Sequence, residues 1–168
     1  MLVLLLRHGH DDRRCGDDPP LSAFGTEQVR ATAEVLAQVC PDGIEGVWIS
    51  PARRARDTAS VIRETLVTGW EQVDEALGPG SGPARHLEII EYARRHGMQS
   101  VLIVGHNPDL GEAALRCVGQ ASSPERGLIA HGECLQVLVG ESADVAPLMV
   151  VSGTSMRTVD LGATGSAG

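Results

Sequence analysis

Two unbroken apolar runs, each halted at a histidine-bearing turn, constrain this chain more than any other feature. Residues 1–6 read Met-Leu-Val-Leu-Leu-Leu and stop at Arg7-His8-Gly9-His10. Residues 100–104 read Ser-Val-Leu-Ile-Val and stop at Gly105-His106-Asn107-Pro108. A strand with solvent on one face alternates apolar and polar residues. An unbroken run suits a strand covered on both faces, as in a parallel sheet with helices on each side. Strands alternate with helical patterns over the first two thirds of the chain. The expected class is therefore α/β, as a three-layer α/β/α sandwich with a mostly parallel central sheet. In open sheets of this kind ligands gather beyond the carboxyl ends of the strands, which is where His8 and His106 stand.

Local signals fill in the elements. Residues 11–20 are rich in Asp, Arg, Gly and Pro and read as a loop. Ser22 predicts the N-cap of a helix running to about Val39, with Val29, Ala33 and Leu36 on one stripe. Pro41 and Gly43 end it, and Val47-Trp48-Ile49 is a short strand. Ser50 and Pro51 predict the N-cap and first position of the next helix, whose stripe is Ala55, Ala59, Ile62 and Leu66. Arg53, Arg54 and Arg56 then fall on its first turns, where the helix dipole adds to their charge. A Gly/Pro loop at 78–83 precedes a helix expected over 84–96 and closed by Gly97. Asn107 and Pro108 predict the start of a helix through Val118. Residues 134–139, 148–152 and 156–161 read as later strands, and 162–168 as a loose tail. No repeat or linker divides the chain, so residues 1–168 are expected to form one domain.

Composition narrows the partners. The 168 residues carry a formal net charge of −8, which removes the global basic footprint of a nucleic-acid binder. An anionic ligand would need a local positive pocket, so clusters of Arg and His gain weight. Cys15, Cys40, Cys117 and Cys134 form no C-x-x-C pair, so neither a zinc site nor a redox motif is suggested. They read as free thiols of a reducing compartment. The opening apolar run is too short for a secretory leader, and no stretch reaches membrane-spanning length. A soluble, cytoplasmic protein without membrane contact, cofactor or metal is expected. Its oligomeric state has no signature in the sequence.

The polar residues at the strand ends suit one chemistry. A neutral imidazole nitrogen can attack phosphorus in line and hold the group as phosphohistidine until water removes it, dividing one difficult displacement into two. Such a reaction needs positioning and charge neutralisation above all. Arg7 and Arg54 offer planar forks of donors that match phosphoryl oxygens. His106 can donate as a cation or in a suitable tautomer, and Gly9 would let the backbone approach the ligand.

Four segments carry a family resemblance. Leu6-Arg7-His8-Gly9, Pro20-Leu21-Ser22-x-x-Gly25-x-x-Gln28, Ser50-Pro51-Ala52-Arg53-Arg54-Ala55-Arg56-Asp57-Thr58-Ala59 and Val104-Gly105-His106-Asn107-Pro108 occur in order. Together they resemble the signature segments of the histidine phosphatase (phosphoglycerate mutase-like) superfamily, and the chain looks most like its SixA-type phosphohistidine phosphatase branch. The resemblance implies that His8 is the phosphorylated histidine and that Arg7, Arg54 and His106 complete the phosphate pocket. It implies a metal-independent phosphatase acting on a phosphohistidine protein or a small phosphate monoester. The chain departs from the family in two places. His10 stands where many members carry an acidic residue, and 12–15 lack the Asn of the mutases. The family's proton donor follows the second helix, which makes Asp74 and Glu75 the candidates. A phosphoramidate expels imidazole more readily than an ester expels alkoxide, so phosphoramidates are expected to be the better substrates.

The same residues admit other readings. His10 could contact the phosphate or leaving group, and His131 could stand at the pocket rim. Arg53 and Arg56 read as solvated or ion-paired, and His86 and His96 as ordinary helix residues. His8-x-His10-x-Asp12 matches the start of a metallohydrolase motif, but Arg13-Arg14 replaces the Asp-His that should follow. An inactive phosphate-binding module on the same fold is the remaining alternative.

Overall fold

In β1 (Leu2–Arg7) the apolar run splits between two cores. Val3 and Leu5 enter one, Leu4 and Leu6 the other, and all four are fully buried. Period-two geometry sends successive side chains to opposite faces, so burial of every one requires cover on both sides. The computed structural model describes residues 1–120, 129–140, 148–153 and 155–159. The tail proposed at 162–168 lies outside them, as does the end of the strand expected over 156–161.

Along the chain β1 is followed by α1 (Ala23–Val39), β2 (Ile44–Ile49), α2 (Arg53–Arg63), β3 (Thr68–Val73), α3 (Ala84–Arg95), β4 (Ser100–Gly105) and α4 (Asp109–Cys117). Then come β5 (Cys134–Leu138), β6 (Met149–Ser152) and β7 (Ser155–Thr158). One sheet runs in the order β3-β2-β4-β1-β5-β6-β7. The sheet is mixed. Its first four strands are mutually parallel, while β5, β6 and β7 are antiparallel additions beyond β1. Val29, Ala33 and Leu36 of α1 and Ala59 and Ile62 of α2 cover one face. Ile89, Ile90 and Ala93 of α3 and Leu110 and Ala113 of α4 cover the other. Truncating a side chain as enclosed as Leu5 to Ala would cost ~2–5 kcal/mol.

One strand has no counterpart in the sequence reading, and two local expectations need correction. Residues 68–73 form an edge strand that has no apolar run to announce it: Thr-Gly-Trp-Glu-Gln-Val is mostly exposed and, among the described residues, pairs with β2 alone. Next, α2 starts at Arg53, not Pro51, and its N-cap position, Ala52, makes no side-chain cap. The carboxylate of Asp18 takes the Arg53 N–H instead, at 2.8 Å, so an acid from the 11–20 loop closes this helix end. Finally, α4 starts at Asp109 behind Pro108, and Asn107 does not cap it. By contrast α3 ends as expected, with His96 at the C-cap and Gly97 beyond it at φ 71°. Among the described residues no helix is long and apolar enough to cross a membrane.

Candidate active site

Strand register brings the two histidines together. Arg7 pairs with Gly105 and Ile49 with Val104. The residues just past these pairs are His8, Ser50 and His106, where three parallel strands end side by side. Two backbone bonds extend the ladder by one step: His8 N–H to Gly105 O at 3.1 Å and Ser50 N–H to Val104 O at 2.9 Å.

The turn after His8 is clamped from both neighbouring helices. The Gly9 N–H donates to Thr58 Oγ1 at 3.1 Å, and that hydroxyl donates on to Arg54 O at 2.7 Å. From α1, Ser22 Oγ donates to His10 O and accepts from Gly25 N–H, both at 3.0 Å. Gln28 Oε1 accepts the His10 N–H at 3.2 Å. The Ser22, Gly25 and Gln28 positions of the second signature segment thus act on one object, the backbone of Gly9-His10. Gly9 itself serves this packing rather than ligand approach. A Cβ there would stand 2.6 Å from Gly25 O, and Gly9 is not among the residues lining the cavity.

His8 is buried, and its Nδ1 lies 2.8 Å from Gly9 O, which assigns the proton to Nδ1. Nε2 then carries a lone pair, and Arg54 Nε donates to it at 3.1 Å. Burial, helped by the charges of Arg54, His131 and Arg7, pulls the His8 pKa down to about 4. His106 is equally enclosed. Its Nε2 lies 2.8 Å from Ser50 Oγ and its Nδ1 3.4 Å from Arg54 Nη2. Burial, then His8 and Arg54, lower it to about 3. Both rings are neutral near pH 7, so of the two forms expected for His106, a cation or a suitable tautomer, the free site holds the neutral one. Their centroids are 5.0 Å apart, with Arg54 bridging them.

Arg7 comes from the far side. Its Nη1 donates to Ile129 O at 3.1 Å and its Nη2 to His131 Nε2 at 3.0 Å. Among the described residues its buried Nε has no partner. Asn107, expected as a cap, sends Nδ2 to the same Ile129 carbonyl at 2.8 Å. These groups line a cavity of ≈ 420 Å³ at the carboxyl ends of the parallel strands, together with Asp11, Arg13 and Asp17 of the 11–20 loop. It is a locally cationic pocket in an acidic chain.

Several candidate residues fall elsewhere. Neither Asp74 nor Glu75 lines the cavity. Asp74 accepts from Ala76 N–H at 3.0 Å and from Arg85 at 2.8 Å, and Glu75 is exposed. His10 is exposed, outside the lining, with Nδ1 3.0 Å from Ser22 Oγ. Asp12 pairs with Arg14 at 2.8 Å, so His8, His10 and Asp12 go to three different partners rather than to one centre. Sequence reasoning did not place Ser50, Thr58 and Asp11 at the site, where Ser50 meets His106, Thr58 holds the Gly9 N–H and Asp11 lines the cavity. For Ser50 and Thr58 the signal was present, since both are fixed letters of the third signature segment. Asp11 had none. His131, a candidate for the pocket rim, lines the cavity, with its ring 5.2 Å from that of His8.

Comparison with known proteins identifies the family and the fold. The family model of the histidine phosphatase superfamily (branch 1) matches residues 3–79. An uncharacterized protein of Picosynechococcus sp. is 31% identical over 68% of this chain and 71% of its own. The uncharacterized phosphatase PhoE of Bacillus subtilis is 30% identical over 83% of this chain and 76% of its own. Among solved structures, the protein histidine phosphatase SixA complexed with tungstate superposes with a TM-score of 0.79 at 22% identity, covering 91% of this chain and 97% of that one. The chain belongs to the histidine phosphatase superfamily.

Proposed function

We propose that the chain is a metal-independent phosphatase in which His8 takes up a phosphoryl group from a phosphohistidine or a small phosphate monoester and passes it to water. One observation carries the reading: the unprotonated Nε2 of a neutral His8 shares a cavity with the guanidinium groups of Arg7 and Arg54. The Nε2 lone pair forms the N–P bond while the leaving group departs with its bonding pair. Water then attacks the same phosphorus, and the pair returns to Nε2. For the first step Arg54 Nε–H must leave that lone pair and turn to a phosphoryl oxygen. Arg7 approaches the oxygens from the opposite wall. His106, close to Arg54, donates to a third oxygen once the dianion raises its proton affinity.

One feature of the described residues supports the substrate class: the carboxylic proton donor expected at 74–75 is not at the cavity. Such a donor matters most for poor leaving groups. The likeness to SixA, whose bound tungstate is itself a tetrahedral oxyanion, supports the same class on the level of fold. A phosphoramidate is therefore the preferred substrate, and four unpaired cysteines fit a reducing, cytoplasmic setting. The test is a turnover screen of phosphohistidine, alkyl phosphates and aryl phosphates with wild type and His8→Ala. Phosphohistidine should be turned over fastest, and His8→Ala should be inert and carry no acid-labile phosphate. Faster turnover of alkyl esters would overturn the substrate class. A fully active His8→Ala would overturn the mechanism.

A further inference from the structure

A two-step transfer needs a proton delivered to the leaving group and another taken from water. We propose that His131 does both, giving its proton to the leaving atom when His8 is phosphorylated and recovering one from the water that cleaves phosphohistidine. This rests on the phosphatase reading above.

Elimination among the cavity's titratable groups leads there. His8 is the nucleophile, with Nδ1 committed to Gly9 O. His106 is buried at the strand ends with Nε2 committed to Ser50. Burial alone would raise the Asp11 carboxyl, but its own backbone N–H and the charges of Arg13 and Arg54 hold it below its usual range, so it has no proton to give. Asp17 is exposed in the loop. Among the described residues His131 alone is partly exposed with its ring near that of His8, the centroids 5.2 Å apart and the planes tilted by 56°.

Its surroundings suit the exchange. The charged and titratable groups around it are Arg7, Asp11, His10 and Arg13, besides His8. In the free site burial and then the Arg7 charge lower its proton affinity, and Nε2 accepts from Arg7 Nη2 as a neutral ring does. When that guanidinium turns to a phosphoryl oxygen, Nε2 is released into the cavity beside the added negative charge, which favours its protonation. The imidazolium then donates Nε2–H to the departing nitrogen or oxygen as the bond to phosphorus breaks. The neutral ring later accepts a proton from the attacking water, which restores the imidazolium as phosphate forms. His131 also lines a neighbouring cavity of ≈ 290 Å³ between Gln28, Thr32 and Ser152, so a leaving group on its outer side has room.

The test separates proton transfer from mere support of Arg7. In His131→Gln the amide oxygen can still accept from Arg7 but cannot titrate. Phenyl phosphate expels a basic phenolate, whereas 2,4-dinitrophenyl phosphate expels one that needs no proton. The kcat/KM, which reports the first chemical step, should fall ~100-fold for the phenyl ester and stay within about threefold for the dinitrophenyl ester. The dinitrophenyl ester should then show a burst of one phenolate per site, because hydrolysis of the phosphoenzyme has slowed. Its retained kcat/KM also certifies the fold. Equal losses on both esters, or none on either, would overturn the proposal. A wild type inert towards every phosphoryl compound would remove the phosphatase reading itself, and this proposal with it.

Discussion

The Ser50 hydroxyl lies 2.8 Å from His106 Nε2, and both residues are buried at the ends of adjacent parallel strands. Because Arg54 donates toward Nδ1, the proton of the neutral ring sits on Nε2 and Ser50 accepts it. This bond aims Nδ1 at the cavity. Ser50→Ala should leave a buried N–H unsatisfied, costing ~1–3 kcal/mol in a urea unfolding curve. With the ring free to turn, kcat should fall ~10-fold or more, as when an oxyanion donor is misplaced. A variant with wild-type kcat would separate His106 orientation from catalysis.

Acid should unfold this protein through its buried imidazoles. The folded pKa values of His8 and His106 are about 4 and about 3, below the ~6.5 of an unfolded histidine. His86, buried on the α3 side, is lowered as well, chiefly by burial. Below pH 6.5 the unfolded chain binds protons that the folded chain refuses. Stability is thus fully present above 6.5 and declines as pH falls toward 4, by up to ~1.4 kcal/mol per pH unit for each such group. Urea midpoints measured between pH 7 and 4.5 should show this slope, and His8→Asn should flatten it. A midpoint constant over that range would contradict the burial argument.

The contact between Gly25 and His10 leaves no space for a side chain. A Cβ on Gly25 would stand 2.0 Å from the His10 carbonyl oxygen, and backbone on both sides cannot yield cheaply. Gly25→Ala should therefore lower stability by ~1–3 kcal/mol and reduce turnover together, because the clamp that presents His8 is pushed off α1. Gly78→Ala is the matched control, since a Cβ there meets nothing nearer than Glu75 O at 3.6 Å. Thermal melts and turnover of the two variants should diverge.

What the sequence disclosed depended on how local the signal was. The run before His8 and its counterpart before His106 report double-sided burial directly, so the layered class and the two strand ends were legible. Edge strand β3 was not, because its solvent face and Gly69 remove the apolar pattern. Residues acting across space misled in a consistent way. Ser50 and Asn107 have the composition of caps, yet Ser50 is taken by His106 and Asn107 by Ile129 O, while Asp18 from a distant loop does the capping. Asp74 is likewise held by Arg85, a partner eleven residues on that no motif names. The signature letters do not say whether each residue lines the cavity or, like Gly25 and Gln28, holds the turn behind it.

Arg54 gives the sharpest test of the site as a whole, since one guanidinium addresses both imidazoles, with Nε on His8 and Nη2 near His106. A lysine can point one charge at the cavity but cannot reproduce a planar fork that meets two rings and then two oxygens. Arg54→Lys should thus resemble Arg54→Ala, each losing ~100-fold or more in kcat. Inorganic phosphate should also inhibit both variants more weakly than it inhibits wild type. The charge has a second effect, because it lowers the proton affinity of both His8 and His106. Its removal in Arg54→Ala should raise both pKa values toward the ordinary range, which an NMR titration of the ring protons would read directly, whereas Arg54→Lys should keep part of the depression. An Arg54→Lys enzyme with near-wild-type turnover would reduce Arg54 to a diffuse positive charge and take the fork geometry out of the mechanism.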